Sequence, residues 1–175
     1  VFEEQDLLDS TRGPVALLAV DINGDGLVDL VGGEARSSAR IIRVIEQQNG
    51  SLAQTWLDSL PEPFAPTSFA NGDFDGDGIN EIFITASPLG GVFMLKHDGS
   101  GFDLTHEISD RNLTSVGVGD IDQDGNFDII GCDLSNEILP WWEHGASQWS
   151  LSTLPGQITN PRTIVIEDFD DNGAM

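Results

Sequence analysis

The chain has 175 residues, with 7 Lys and Arg against 30 Asp and Glu, and a formal net charge of −23. That length suits a domain with a buried core, while the charge excludes a phosphate-neutralising nucleic-acid binder and disfavours docking on an anionic membrane. The longest apolar stretch, Val15 to Val20, is too short to span a bilayer, and the single Cys132 excludes an internal disulfide framework.

In chain order, Phe2 to Leu8 reads as a strand led by an aromatic residue. Val15–Val20 is the next strand and runs into the acidic loop Asp21-Ile-Asn23-Gly-Asp25-Gly26-Leu-Val-Asp29. Leu27–Val31 and Ala39–Gln47 follow as strands, Asn49-Gly50 makes a turn, and Trp56 opens another strand. The same order then recurs. Thr67–Ala70 leads to Asp73-Phe-Asp75-Gly-Asp77-Gly78-Ile-Asn-Glu81, followed by Ile82–Thr85, Val92–His97, the turn Asp98-Gly99 and a strand opened by Phe102. Ser115–Val118 leads to Asp120-Ile-Asp122-Gln-Asp124-Gly125-Asn-Phe-Asp128, then Phe127–Ile130, Glu137–Glu143, a turn at His144-Gly145 and a strand opened by Trp149. Thr163–Ile166 begins a fourth round, whose loop Asp168-Phe-Asp170-Asp-Asn172-Gly173 runs to the end of the sequence.

The four loops start 52, 47 and 48 residues apart and hold 14 of the 30 acidic residues. A fixed period of this length marks a repeat architecture, and four strands per repeat is the pattern of a propeller blade. The fold expected is therefore all-β: four-stranded antiparallel β-propeller blades forming a partial propeller of three-plus blades. Residues 1–175 form one segment, with repeats at approximately 12–65, 66–111, 112–159 and a truncated 160–175. A closed seven-bladed ring at this repeat length needs roughly 340 residues. The chain thus reads as part of a longer propeller, with self-association through open blade ends as the alternative.

Each complete loop places an oxygen-bearing side chain at positions 1, 3, 5 and 9 and a glycine at position 6. Hard oxygen ligands without His or Cys select Ca²⁺ over zinc or copper, and Mg²⁺ prefers to keep several waters. The backbone carbonyl at position 7 (Leu27, Ile79, Asn126) is a further ligand by analogy with such loops. An EF-hand is excluded, because it needs a Glu at position 12, where this chain has Gly32, Ile84 and Gly131. An Asp/Gly-rich hairpin turn is the plain alternative for one loop, but not for a motif repeated in one strand context.

Strand, Asp-x-[Asp/Asn]-x-Asp-Gly-x-x-[Asp/Glu], strand resembles the FG-GAP/VCBS repeat, the calcium-binding propeller blade of integrin α subunits and many secreted bacterial proteins. The resemblance covers essentially the whole chain, and Phe69-Ala-Asn-Gly-Asp73 and Val118-Gly-Asp120 match the approach of strand to loop. It implies ligands Asp21, Asn23, Asp25 and Asp29; Asp73, Asp75, Asp77 and Glu81; and Asp120, Asp122, Asp124 and Asp128. Asp168, Asp170 and Asn172 would form a fourth site that lacks position 9. Three calcium ions are expected, with a fourth site incomplete. The implied setting is a secreted or surface protein acting in cell adhesion, carbohydrate or protein binding, or extracellular assembly. Some relatives are polysaccharide lyases or sugar dehydratases, and no matching catalytic motif stands in this sequence. A filament or surface-layer subunit is a third reading.

His97 and His144 fall at turns, and all three histidines, His106 included, read as solvated side chains outside any catalytic motif. Cys132 reads as a small buried thiol. Trp141-Trp142 favours core packing over a sugar-stacking platform. Asn49-Gly-Ser51 and Asn112-Leu-Thr114 match the N-glycosylation acceptor.

Overall fold

A computed structural model describes residues 13–36, 39–109, 111–144, 149–156 and 158–167. The stretch Phe2–Leu8 and the fourth loop, with Asp168, Asp170 and Asn172, lie outside the described residues. Within them the structure is all strand and turn, without a helix.

The first sheet comprises β1 (Pro14–Val20), β2 (Asp29–Arg36), β3 (Ala39–Gln48) and β4 (Ser51–Ser59). The second comprises β5 (Ala65–Gly72), β6 (Glu81–Ser87), β7 (Gly91–His97) and β8 (Phe102–Ile108). The third comprises β9 (Leu113–Gly119), β10 (Asp128–Asp133), β11 (Pro140–His144) and β12 (Trp149–Thr153). Each is an antiparallel meander in sequence order, which is the four-stranded propeller blade. The three blades do not close into a ring.

Blades stack through their first strands: β5 packs on β1, β2 and β3, and β9 packs on β5, β6 and β7. Two cores result. Ile22, Val31, Ile42, Val44, Ile82, Ile84 and Leu95 fill the space between the first and second blades. Phe83, Val92, Leu113, Val116, Ile129 and Trp142 fill the space between the second and third. The first six residues of β6 are all buried, because alternate side chains serve opposite cores: Ile82 and Ile84 one way, Phe83 the other.

Several expectations about strand limits change: β2 runs from Asp29 to Arg36 rather than over Leu27–Val31, and β10 runs on to Asp133, past the expected end at Ile130. Trp56 lies inside β4 rather than opening it, because Asn49 and Gly50 both take positive φ (51° and 80°) and form a two-residue turn. Pairing of β3 with β4 then shifts between Val44 and Ile45, so Thr55 bulges out. The strand expected from Glu137 starts only at Pro140, because residues 134–137 form a turn: Asp133 and Ile138 exchange backbone hydrogen bonds of 3.1 and 3.3 Å, and Glu137 has φ 54°. Residues 163–166 carry no strand. In the three blades the corresponding strand pairs with the one following its loop, a pairing that residues 163–166 do not make among the described residues. The segment still lies against β9, where the Ile164 N–H donates to Ser115 Oγ at 3.3 Å.

Candidate metal centre

The acidic loops join the first two strands of each blade and share one hydrogen-bond scheme. The carboxylate at position 1 accepts the N–H of the position 6 glycine: Gly26 to Asp21 at 2.8 Å, Gly78 to Asp73 at 3.0 Å and Gly125 to Asp120 at 3.0 Å. The position 3 oxygen accepts the N–H of position 5: Asp25 to Asn23 at 3.0 Å, Asp77 to Asp75 at 3.3 Å and Asp124 to Asp122 at 3.1 Å. The position 5 carboxylate accepts the N–H of position 7: Leu27, Ile79 and Asn126 each donate at 2.8 Å. Position 6 is glycine because its φ is +82°, +87° and +91° in the three loops, which side chains disfavour.

Position 9 differs in kind. Asp29, Glu81 and Asp128 open β2, β6 and β10 and are only 0%, 1% and 2% exposed. Each accepts the N–H of position 2: Ile22 at 3.4 Å, Phe74 at 2.8 Å and Ile121 at 3.1 Å. Asp29 and Asp128 also accept from the third strand, Gln47 at 2.8 Å and His144 at 3.2 Å. Burial nevertheless pushes all three carboxyls above their ordinary values, against these N–H bonds; the Asp25 and Glu46 charges add to the rise at Asp29, and Asp75 to that at Glu81.

In the second loop, Asp73, Asp75 and Glu81 bring one oxygen each within 4.8 Å of one another, and Asp120, Asp122 and Asp128 do the same in the third. Positions 1, 3 and 9 therefore converge, whereas Asp77 and Asp124 at position 5 stand outside these groups, held by their position 7 N–H bonds. The first loop makes no such three-acid group among the described residues, because its position 3 is Asn23, an amide oxygen. One oxygen in the second loop has no partner: Asp73 Oδ1 is buried and accepts no hydrogen bond. In the other two loops its counterpart does, Asp21 Oδ1 from Gly24 at 2.8 Å and Asp120 Oδ1 from Asp124 at 3.0 Å. Converging oxygens, a buried carboxylate and an orphaned oxygen fit a hard cation.

The second loop also holds a cation of the chain's own. Lys96 Nζ contacts Asp75 and lies 3.4 Å from both Asp77 and Glu81. The Asp75 hydrogen bond, with the Glu81 charge, holds this ammonium well above the ordinary lysine range.

The sequence reading overlooked the apolar residue at position 2. Ile22 is fully buried in the first core, and Phe74 packs on the second core with its ring 4.5 Å from His144 and 5.4 Å from Trp149. Alternation of apolar and acidic residues inside the loop was the available signal. Two of the three histidines are corrected as well. His106 stacks on Phe93 at 4.1 Å, His97 packs on Phe102 at 5.0 Å with a buried Nδ1, and His144 lies against Phe74. His97 and His144 are half-buried packing groups rather than solvated turn residues, because strand pairing places each beside an aromatic ring, whereas His106 stays exposed on β8 as expected. Cys132 is buried, and burial pushes its thiol up. Trp142 is 5% exposed in the second core, whereas Trp141 faces away from it, half-buried. Asn49 is exposed, while half-buried Asn112 donates to Ser135 Oγ at 2.9 Å.

A family model for the FG-GAP-like repeat matches residues 21–84 and 73–131. The two matches overlap across the second loop and together take in the three complete loops and most of the strands between them. The chain belongs to the FG-GAP-like repeat family.

Proposed function

We propose that the chain is a calcium-stiffened propeller segment of a secreted or surface protein, acting as a binding module for a protein or carbohydrate ligand. The observation that supports this most is the convergence of positions 1, 3 and 9 on a buried carboxylate. The proposed ligands are Asp21, Asn23 and Asp29; Asp73, Asp75 and Glu81; and Asp120, Asp122 and Asp128. The carboxylates of Asp25, Asp77 and Asp124 and the carbonyls of Leu27, Ile79 and Asn126 would complete each shell. Calcium supplies no reaction here; it offsets the charge that burial makes costly and fastens the first two strands of each blade. Extracellular sites of this class bind at roughly 10⁻⁴–10⁻³ M, within reach of millimolar calcium.

The test is calorimetric. An ion that binds only the folded chain at 100 times its Kd adds about 2.7 kcal/mol per site, or about 5–10 °C in Tm for a chain of this size. Calcium should raise the melting temperature, chelator should reverse the gain, and magnesium at equal concentration should give much less. A melting temperature indifferent to calcium and chelator refutes the metal assignment. Chelator-sensitive turnover of an acidic polysaccharide by the intact chain would instead make it an enzyme.

A further inference from the structure

Strand register places a different charge beside each position 9 carboxylate. Leu30 pairs with Ile45, Ile82 with Leu95 and Ile129 with Trp142. One step further along, the third strand therefore offers Glu46 in the first blade, Lys96 in the second and Glu143 in the third. Two blades add an acid at this point and one adds a base. Lys96 is also the only lysine in the chain. Its ammonium reaches Asp75, Asp77 and Glu81 together, three of the four acids of that loop. Asp73 Oδ1, the fourth acid's buried oxygen, is left without a partner.

We propose that Lys96 is a tethered counter-cation that occupies the second loop before calcium does and makes it the weakest of the three sites. This rests on the calcium reading above. Counting acids alone ranks the first loop, with three carboxylates, as the weakest. Counting the register neighbour reverses that. The first loop becomes four negative charges with Glu46, the third becomes five with Glu143, and the second drops to three because Lys96 cancels one. Ligand charge is a main determinant of calcium affinity in oxygen cages. The second site carries a further cost, since its ion must displace an ammonium already held by three carboxylates and then tolerate it nearby. Displacement is feasible: the Lys96 side chain is 30% exposed and rides on a flexible four-carbon stem. The consequence is graded loading, with the outer two loops filling at low calcium and the middle one only at high calcium.

The experiment is a calcium chloride titration of the isotope-labelled, chelator-treated intact chain, following the amide signals of Gly26, Gly78 and Gly125. Gly26 and Gly125 should saturate first, with the Gly78 midpoint higher by about tenfold or more. Lys96→Met and Lys96→Glu should each lower the Gly78 midpoint by about tenfold or more and leave the other two in place. A second readout needs no variant: acylation of the single lysine by an amine-reactive ester should be slow in chelator and faster in saturating calcium. Gly78 saturating with or before the others, or a midpoint unmoved by Lys96→Met, overturns the assignment of Lys96. If none of the three amides responds, the calcium reading itself falls, and this inference with it.

Discussion

A carboxylate in an apolar core is costly unless something nearby compensates it, and this chain places one there three times. Asp29, Glu81 and Asp128 were legible as position 9 of a loop motif, but their depth was not, since spacing carries no information about burial. Position 4 was missed for a related reason. Gly24, Gly76 and Gln123 all take positive φ, at 74°, 76° and 64°. Two glycines there were a visible signal, which the glutamine of the third loop concealed. Gln123 therefore holds a backbone conformation that costs a side-chain-bearing residue roughly 1–2 kcal/mol. Gln123→Gly should stabilise the chain by about 1 kcal/mol after the entropy of the unfolded state is deducted, raising Tm by about 2–4 °C in a calorimetric scan.

At the scale of strands and turns, the sequence reading did best where apolar runs alternate between acidic loops and Gly-containing turns. β1, β3, β5, β6, β7 and β9 begin and end within two residues of expectation. It did worst where pairing rather than composition sets the limit. Thr55 bulges because the tight turn at Asn49-Gly50 fixes the register before the strand begins. Residues 163–166 have strand composition but no partner strand among the described residues. Gly91, at the start of β7, shows how close two strands come: a Cβ there would sit 1.9 Å from the carbonyl oxygen of Ile108, at a φ of +64°. Gly91→Ala should cost about 2–5 kcal/mol through overlap and backbone strain together. Urea titration would register this as a lower midpoint with an unchanged slope.

For the molecule as a whole, the question is how a chain of net charge −23 holds together. The sign of its pH response is decisive. Asp29, Glu81 and Asp128 have folded values raised above the ordinary 3.8 and 4.5, so their stabilising contribution is complete below those values and lost as pH rises through the raised ones. Asp77 and Asp98 lean the other way, held low first by backbone N–H bonds from Ile79 and Ser100, and lose their contribution only on further acidification. In chelator, Tm should therefore rise as pH is lowered from neutrality towards the ordinary carboxylate range. In excess calcium the slope should reverse, because protons then compete with the ion for the same oxygens. Matching slopes in the two buffers would show that these carboxylates do not bind the metal.

Neighbouring loops also touch. A Cβ on Gly24 would lie 3.1 Å from Ile79, and one on Gly72 only 2.5 Å from the ring of Phe127. Eleven of the chain's acids are thereby gathered in adjoining loops along one rim of the stacked sheets. Such a concentration of charge attracts a cationic body, whether an ion, a basic peptide or an amine-bearing surface. Bound calcium would weaken the same pull, so the molecule's orientation at a charged surface becomes a function of the calcium around it, and of salt.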